Sequence, residues 1–295
     1  MLSRMFQSCK TRQSIYQSIS PILFDVSLRD GIQNDDPCQW NIERKTAVLE
    51  NIVSTHKPAS IEIGSLVSPK LLPIMKDSLE MATIAEKVAH GKDVYMLIPS
   101  LAQLHIAIEH NIRRFSFITS VSDKFQQRNT RKSVHEKRAE LKQMESIIAP
   151  LGDDTKTKLY ISCITECPIM GPLDIHFVLH ELLVYHYDFG FDELCLSDTC
   201  GSLQYDDFQY LVDGLFHFGV PMSKISLHLH CSPANATEIR RILWYAFDKN
   251  IRRFDVSTLE TGGCSVSLSP DKRHPNLSYE VFHDCLDRYI EYHLS

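Results

Sequence analysis

The sequence predicts a (β/α)8 TIM barrel of the α/β class, on three observations. Eight short β-rich runs are each followed by a stretch with helical periodicity. Within several runs the polar residues share one parity and gather near the run's C-terminal end, where barrels keep their chemistry. No Gly-x-Gly-x-x-Gly follows the first run, and the chain has only 11 glycines, which disfavours the alternative of a doubly wound open sheet.

In chain order the predicted strands are ILFDVSL (22–28), SIEIGSL (60–66), VYMLIP (94–99), RFSFITS (114–120), LYISCIT (159–165), ELCLSDT (193–199), KISLHLH (224–230) and RFDVSTL (253–259). The intervening segments are amphipathic helices. One carries Ile175, Val178, Leu179, Leu182 and Leu183, and another Ile239, Ile242, Leu243, Ala246 and Phe247. A last helix, SYEVFHDCLDRYIEYH, follows strand eight. Alternation assigns faces. Ile225, Leu227 and Leu229 face the helices, so Ser226, His228 and His230 point into the barrel. In strand one, Phe24, Val26 and Leu28 face out, with Asp25, Ser27 and Arg29 facing in. Glu62, Asp255 and Ser257 are likewise inward, and polar groups in such a place are costly unless they serve a site.

Residues 1–20 stand apart from the single domain expected over 21–295. They carry Arg4, Lys10 and Arg12, many Ser and Gln, and no acid. That composition fits a mitochondrial presequence or a disordered tail, and on either reading the segment adds nothing to the barrel.

The chain has 295 residues, 43% of them hydrophobic, enough for a large core. Its net charge is −6 and its Arg pairs at 113–114, 240–241 and 252–253 are scattered, which excludes a nucleic-acid partner. Nine cysteines without a hydrophobic signal segment fit a reducing compartment. Cys163/Cys167 and Cys195/Cys200 lack the CxxC spacing of a structural zinc site. No apolar run approaches the ~18 residues of a membrane span, so a soluble protein with no membrane partner is expected.

Two inward imidazoles, His228 and His230, separated by one outward leucine, can hold one cation. With Asp30 at the end of strand one, the oxygen and imidazole donors suit Mg2+ or Mn2+. After strand eight, TGGCS (261–265) sets Cys264 behind two glycines that let the backbone fold over a ligand.

Together DVSLRDGIQND, IEIGSLVSPK, SDKFQQRN, YISCITECPIMG, LSDTCG, HLH and GGC…NLSYE resemble, in order, the motifs of the hydroxymethylglutaryl-CoA lyase family, over residues 22–280. The resemblance implies a metal-dependent carbon–carbon lyase giving acetoacetate and acetyl-CoA from an acyl-CoA substrate, a homodimer, and a mitochondrial-matrix or else cytoplasmic location. It implies that Asp30, His228, His230 and Asn276 ligate the cation and that Arg29 stabilises the enolate oxygen. It further implies that His228 also moves the proton of the C3 hydroxyl, that Cys264 protonates the departing carbanion, and that Gln33, Glu62, Asp198 and Thr199 orient these groups or the substrate. Departures from the family pattern fall at Glu260 and Ser265 around the cysteine, at Cys231 to Ala234 after the His pair, and at Asp35 and Asp36. Two other readings are a related metallo-barrel condensing an acyl-CoA with a 2-oxo acid, and a diverged non-catalytic barrel that binds metal or acyl-CoA.

Overall fold

A computed structural model describes residues 11–259, 261–262 and 273–295. Glu260, Cys264 and Ser265, on which several expectations rest, lie outside the described residues. Eight parallel strands close into a barrel: β1 (Ile22–Asp25), β2 (Ser60–Ser65), β3 (Asp93–Leu97), β4 (Arg114–Ser120), β5 (Lys156–Ser162), β8 (Glu193–Ser197), β9 (Ile225–His228) and β10 (Arg253–Val256). The short antiparallel pair β6 (Glu166–Cys167) and β7 (Gly171–Pro172) sits in the loop after β5. Around the barrel run α2 (Ile42–Asn51), α3 (Ser78–Val88), α4 (Leu101–Glu109), α5 (Asp123–Thr130), α6 (Val134–Ile148), α7 (Ile175–Asp188), α8 (Tyr205–His217), α9 (Ala236–Asp248) and α10 (Tyr279–Leu294). All eight expected strands are present: β4 has the expected bounds, β3 and β5 begin and end earlier than expected, and the other five are shorter. Among the described residues no helix is long and apolar enough to cross a membrane.

The principal core lies between strands and helices. Ile61, Ile63, Phe115, Phe117, Leu159, Ile161, Leu194, Leu196, Leu227 and Phe254 meet apolar helix residues such as Leu104, Leu141, Leu211 and Ile242 there, all essentially buried. Burial of this kind contributes on the order of 25 cal/mol per Å2 of apolar surface, and it fixes the strand parity. The other parity fills the barrel with Glu62, Tyr95, Lys158, Tyr160, Glu193, Ser226, His228 and Asp255.

Strand one corrects the expected parity. Phe24 pairs side by side with Asp255, and side chains of paired residues in parallel strands project to the same face. Phe24 is therefore inside, its ring 3.8 Å from the Lys158 ammonium and 5.0 Å from the Tyr95 ring. Asp25 points outward instead and accepts a hydrogen bond from the Tyr279 hydroxyl of α10 at 2.8 Å. Alternation holds only while the strand lasts. It stops at Asp25, and residues Ser27–Gly31 form a single π-helical turn in which the Gly31 amide bonds back to the Val26 carbonyl at 3.0 Å. This turn resets the phase, placing Leu28 in the outer core and Arg29 inside.

The N-terminal expectation also needs correction for its described part. Residues Arg12–Ile19 form α1, opened by a Thr11/Ser14 capping box, and Ile15 and Ile19 are buried. The helix lies against α10, with Arg12 paired to Asp287 at 2.5 Å and the Ser18 carbonyl accepting from Arg252 at 3.1 Å. Its overall polarity hid two apolar residues four apart, one face of a short helix. Ile19→Ala is expected to cost about 2 kcal/mol, the low end for a buried aliphatic truncation, read from the denaturant midpoint. No change would show that α1 packs without stabilising.

Candidate metal and active site

Four segments meet toward the C-terminal mouth of the barrel: the π-helical turn after β1, the middle of β2 at Glu62, the end of β9 and the chain leading into α10. The turn presents Arg29 and Asp30, both buried. β9 delivers His228, and His230 follows one residue past a leucine that packs outward in the core. Asn276 reaches the same place because its backbone bridges His230 and its amide N–H bonds the Thr261 carbonyl.

Asp30, His228 and His230 each offer a ligand atom within 4.8 Å of the others. His228 Nε2 lies 3.9 Å from Asp30 Oδ2, and the two imidazoles stand edge to face with centroids 5.0 Å apart. The Asn276 side-chain amide donates to Asp30 Oδ2 at 3.0 Å, while Arg29 Nη1 and Gln33 Nε2 donate to Asp30 Oδ1 at 2.6 and 2.7 Å. One carboxylate oxygen is thus taken by the arginine and the glutamine, and the other faces the histidines.

The donor set fits a divalent cation. His230 Nδ1 and Asn276 Oδ1 are buried with no hydrogen-bond partner among the described residues, an arrangement that costs free energy unless a ligand uses those atoms. Burial, helped by the neighbouring His228 and only partly offset by Asp30, lowers the His230 pKa to about 4, so the ring is neutral and has a lone pair with which to coordinate. Burial works against ionisation of Asp30, but the Arg29 guanidinium, with the hydrogen bond from Asn276, outweighs it and holds the carboxyl well below its ordinary range. A charged oxygen, two imidazoles and an amide carbonyl match Mg2+ or Mn2+ better than a thiolate-seeking metal.

Arg29 is clamped. Its Nε donates to Glu62, which also accepts from the Tyr160 hydroxyl at 3.2 Å, and its guanidinium stacks 4.9 Å from the Tyr160 ring centre. Burial would depress the guanidinium's pKa, yet Glu62 and Asp30 raise it, so the charge stays in place. Asp198 and Thr199, past the end of β8, turn to backbone. Asp198 accepts from the Ser202 and Leu203 amides, both at 3.1 Å, and Thr199 Oγ1 accepts from the Cys163 amide at 2.9 Å. Burial raises the Asp198 carboxyl to about 6 despite those amides.

Gly262 closes over Asp30 and Asn276. Its φ of +132° suits glycine, and a Cβ there would stand 2.4 Å from Asn276 Nδ2 and 3.1 Å from Asp30 Oδ2. Asn34 Nδ2 holds the Gly262 carbonyl at 2.9 Å, and Thr261 Oγ1 donates to the Gly31 carbonyl. Gly262→Ala is expected to push Asn276 aside and weaken Mn2+ binding by about 10-fold, with unfolding stability lowered by roughly 1–3 kcal/mol for the strained backbone. Isothermal titration with Mn2+ decides it, since unchanged affinity would remove Asn276 from the donor set.

The role of Lys158 and the link between Asp255 and His228 did not emerge from motifs. Parity alone places Asp255 inward, but its lysine partner lies two residues before Tyr160 in KLYIS, on the same parity, and that spacing is the signal the sequence offers.

The HMGL-like family model matches residues 20–237. The chain is 28% identical over 240 residues to a hydroxymethylglutaryl-CoA lyase of Bacillus subtilis, an alignment covering 81% of this chain and 77% of that protein. It is 26% identical over 248 residues to the mitochondrial hydroxymethylglutaryl-CoA lyase of Arabidopsis thaliana, covering 82% of this chain and spanning about half, 50%, of that longer protein. The fold is shared with an HMG-CoA lyase of Acinetobacter baumannii solved with coenzyme A and 3-methylmalate, at TM-score 0.76 and 23% identity over 92% of this chain and 90% of that one.

Proposed function

Because the chain belongs to the HMGL-like family, we propose that it is a divalent-cation-dependent hydroxymethylglutaryl-CoA lyase, cleaving an acyl-CoA to acetoacetate and acetyl-CoA. The observation that carries this reading is the convergence of Asp30, His228 and His230 beside the clamped Arg29. Asp30, His228, His230 and Asn276 would hold Mg2+ or Mn2+. Bound there, the cation makes the substrate's tertiary hydroxyl more acidic and fixes its orientation.

The remaining chemistry belongs to the chain. Arg29 presents a charged, pre-oriented guanidinium to the oxygen on which negative charge develops when the C–C bond breaks and its electron pair moves into the thioester as an enolate. Glu62 and Tyr160 keep it from turning, so little reorganisation accompanies the step. His228 is proposed to take the hydroxyl proton. Gln33 holds Asp30 in register. Cys264, outside the described residues, is proposed to protonate the enolate carbon and release acetyl-CoA. The relative named as mitochondrial, with the basic residues at the extreme N-terminus, supports a mitochondrial-matrix location.

Purified protein with Mn2+ and hydroxymethylglutaryl-CoA is expected to form acetoacetate. Cys264→Ser should lower turnover by roughly 10²–10⁴, the usual worth of a positioned proton donor, and leave Mn2+ binding intact. Equal turnover by parent and variant would remove Cys264 from the mechanism. A parent that binds Mn2+ yet forms no acetoacetate would instead support the non-catalytic barrel.

A further inference from the structure

Beneath His228, a file of ionic groups of alternating sign runs through the barrel, buried except for Arg253 at its far end. His228 Nδ1 lies 3.1 Å from Asp255 Oδ2. The other oxygen of Asp255 is bonded to the Lys158 ammonium, which pairs also with Glu193 at 2.8 Å, and Glu193 in turn meets Arg253 at 3.3 Å. Lys158 is fully enclosed, packed over the Phe24 ring at 3.8 Å and the Tyr160 ring at 5.0 Å. Buried ion pairs of this kind rarely improve on apolar packing for stability, so their presence under a functional imidazole suggests a role in orienting it.

The geometry points to Asp255, anchored by Lys158, as a positioning residue that fixes His228 as the Nδ1–H tautomer and leaves the Nε2 lone pair at the site. An ionised carboxylate can only accept, so the ring nitrogen facing it carries the proton. The opposite nitrogen, 3.9 Å from Asp30 Oδ2, is then the one able to coordinate or, in exchange for that, to take a proton. Lys158 prevents Asp255 from turning away, because its ammonium occupies the second carboxylate oxygen from below. The contact also sets the ring plane, with Tyr160 standing edge to face against it at 5.7 Å. The value of this arrangement for cation binding rests on the metal reading above; the tautomer assignment does not.

The test uses two readouts on full-length protein. Long-range 1H–15N correlation spectra of metal-free, 15N-histidine-labelled protein at alkaline pH, with His228 assigned from the His228→Gln spectrum, should show the Nδ1–H tautomer in the parent. In Asp255→Asn the amide can donate to the ring, and the Nε2–H form should appear. Mn2+ affinity of this variant should fall by about 10–100-fold, the range for losing a partner that orients a metal-binding histidine. Asp255→Glu should recover part of that loss. An Nε2–H tautomer in the parent overturns the proposal without need of any variant at Asp255, and so does a folded Asp255→Asn with the parent's tautomer. If the parent takes up no Mn2+, the metal reading fails, and the spectra still decide the role of Asp255.

Discussion

Asp30→Asn is expected to lower Mn2+ affinity by at least about 100-fold and to remove measurable turnover at ordinary metal concentrations. Losing a residue that only orients a ligand typically costs 10–100-fold, and Asp30 is the sole carboxylate among the three converging side chains. Asparagine keeps the size but removes the charge that attracts a hard cation. It also turns one acceptor into a donor opposite either Arg29 and Gln33 or Asn276, all of which donate to Asp30. The fold should survive, since Arg29 keeps Glu62 as a partner. Equilibrium dialysis with Mn2+, alongside circular dichroism, separates the two effects. Affinity within a few-fold of the parent would place the cation elsewhere.

The second large effect is expected at Arg29. Arg29→Lys should lower kcat by about 10²–10³, the cost of losing a pre-oriented donor to a developing oxyanion, with Mn2+ affinity changed much less. Lysine keeps a charge near Glu62 but cannot span Glu62 and Asp30 with one rigid fork. Arg29→Gln should add a folding defect, because Glu62 and Asp30 would then be buried without a cation, and breaking such a pair costs about 3–5 kcal/mol. Steady-state kinetics at saturating metal, compared with denaturant unfolding of both variants, distinguishes these outcomes. A lysine variant with the parent's kcat would exclude Arg29 from oxyanion stabilisation.

The barrel was legible because its signal is repeated. Eight β-rich runs with intervening amphipathic helices leave few architectures, and an error in any one strand does not change the answer. Local features carry no such redundancy. The parity of strand one was misread because Phe24 to Arg29 looks like an unbroken strand, whereas it becomes a π-helical turn after Val26. The inward place of Arg29 was still correct, for a reason the alternation did not contain. Helix α1 escaped notice because Ile15 and Ile19 are only two anchors within a polar, basic segment. Asp30, His228 and His230 could be grouped from the strand ends of a barrel, but Asn276 joined them only through the order of the motifs, since Asp30 and Asn276 lie 246 positions apart and meet at 3.0 Å. Asp198 and Thr199 accept hydrogen bonds from backbone amides, which residue type alone does not reveal.

The turn at Ser27–Gly31 has a consequence for how this segment can vary. Neighbouring residues of a strand look in opposite directions, so no strand can aim Arg29 and Asp30 into one pocket. The coiled turn does so, and it also separates two kinds of damage. An inserted or deleted residue before Phe24 would slide β1 past β10 and β2 and harm the whole barrel. The same edit between Ser27 and Gly31 would leave that pairing intact and swing only the guanidinium and the carboxylate away. Length variants here should therefore sort cleanly into those that fail to fold and those that fold but have lost their chemistry, with the dividing line at Val26.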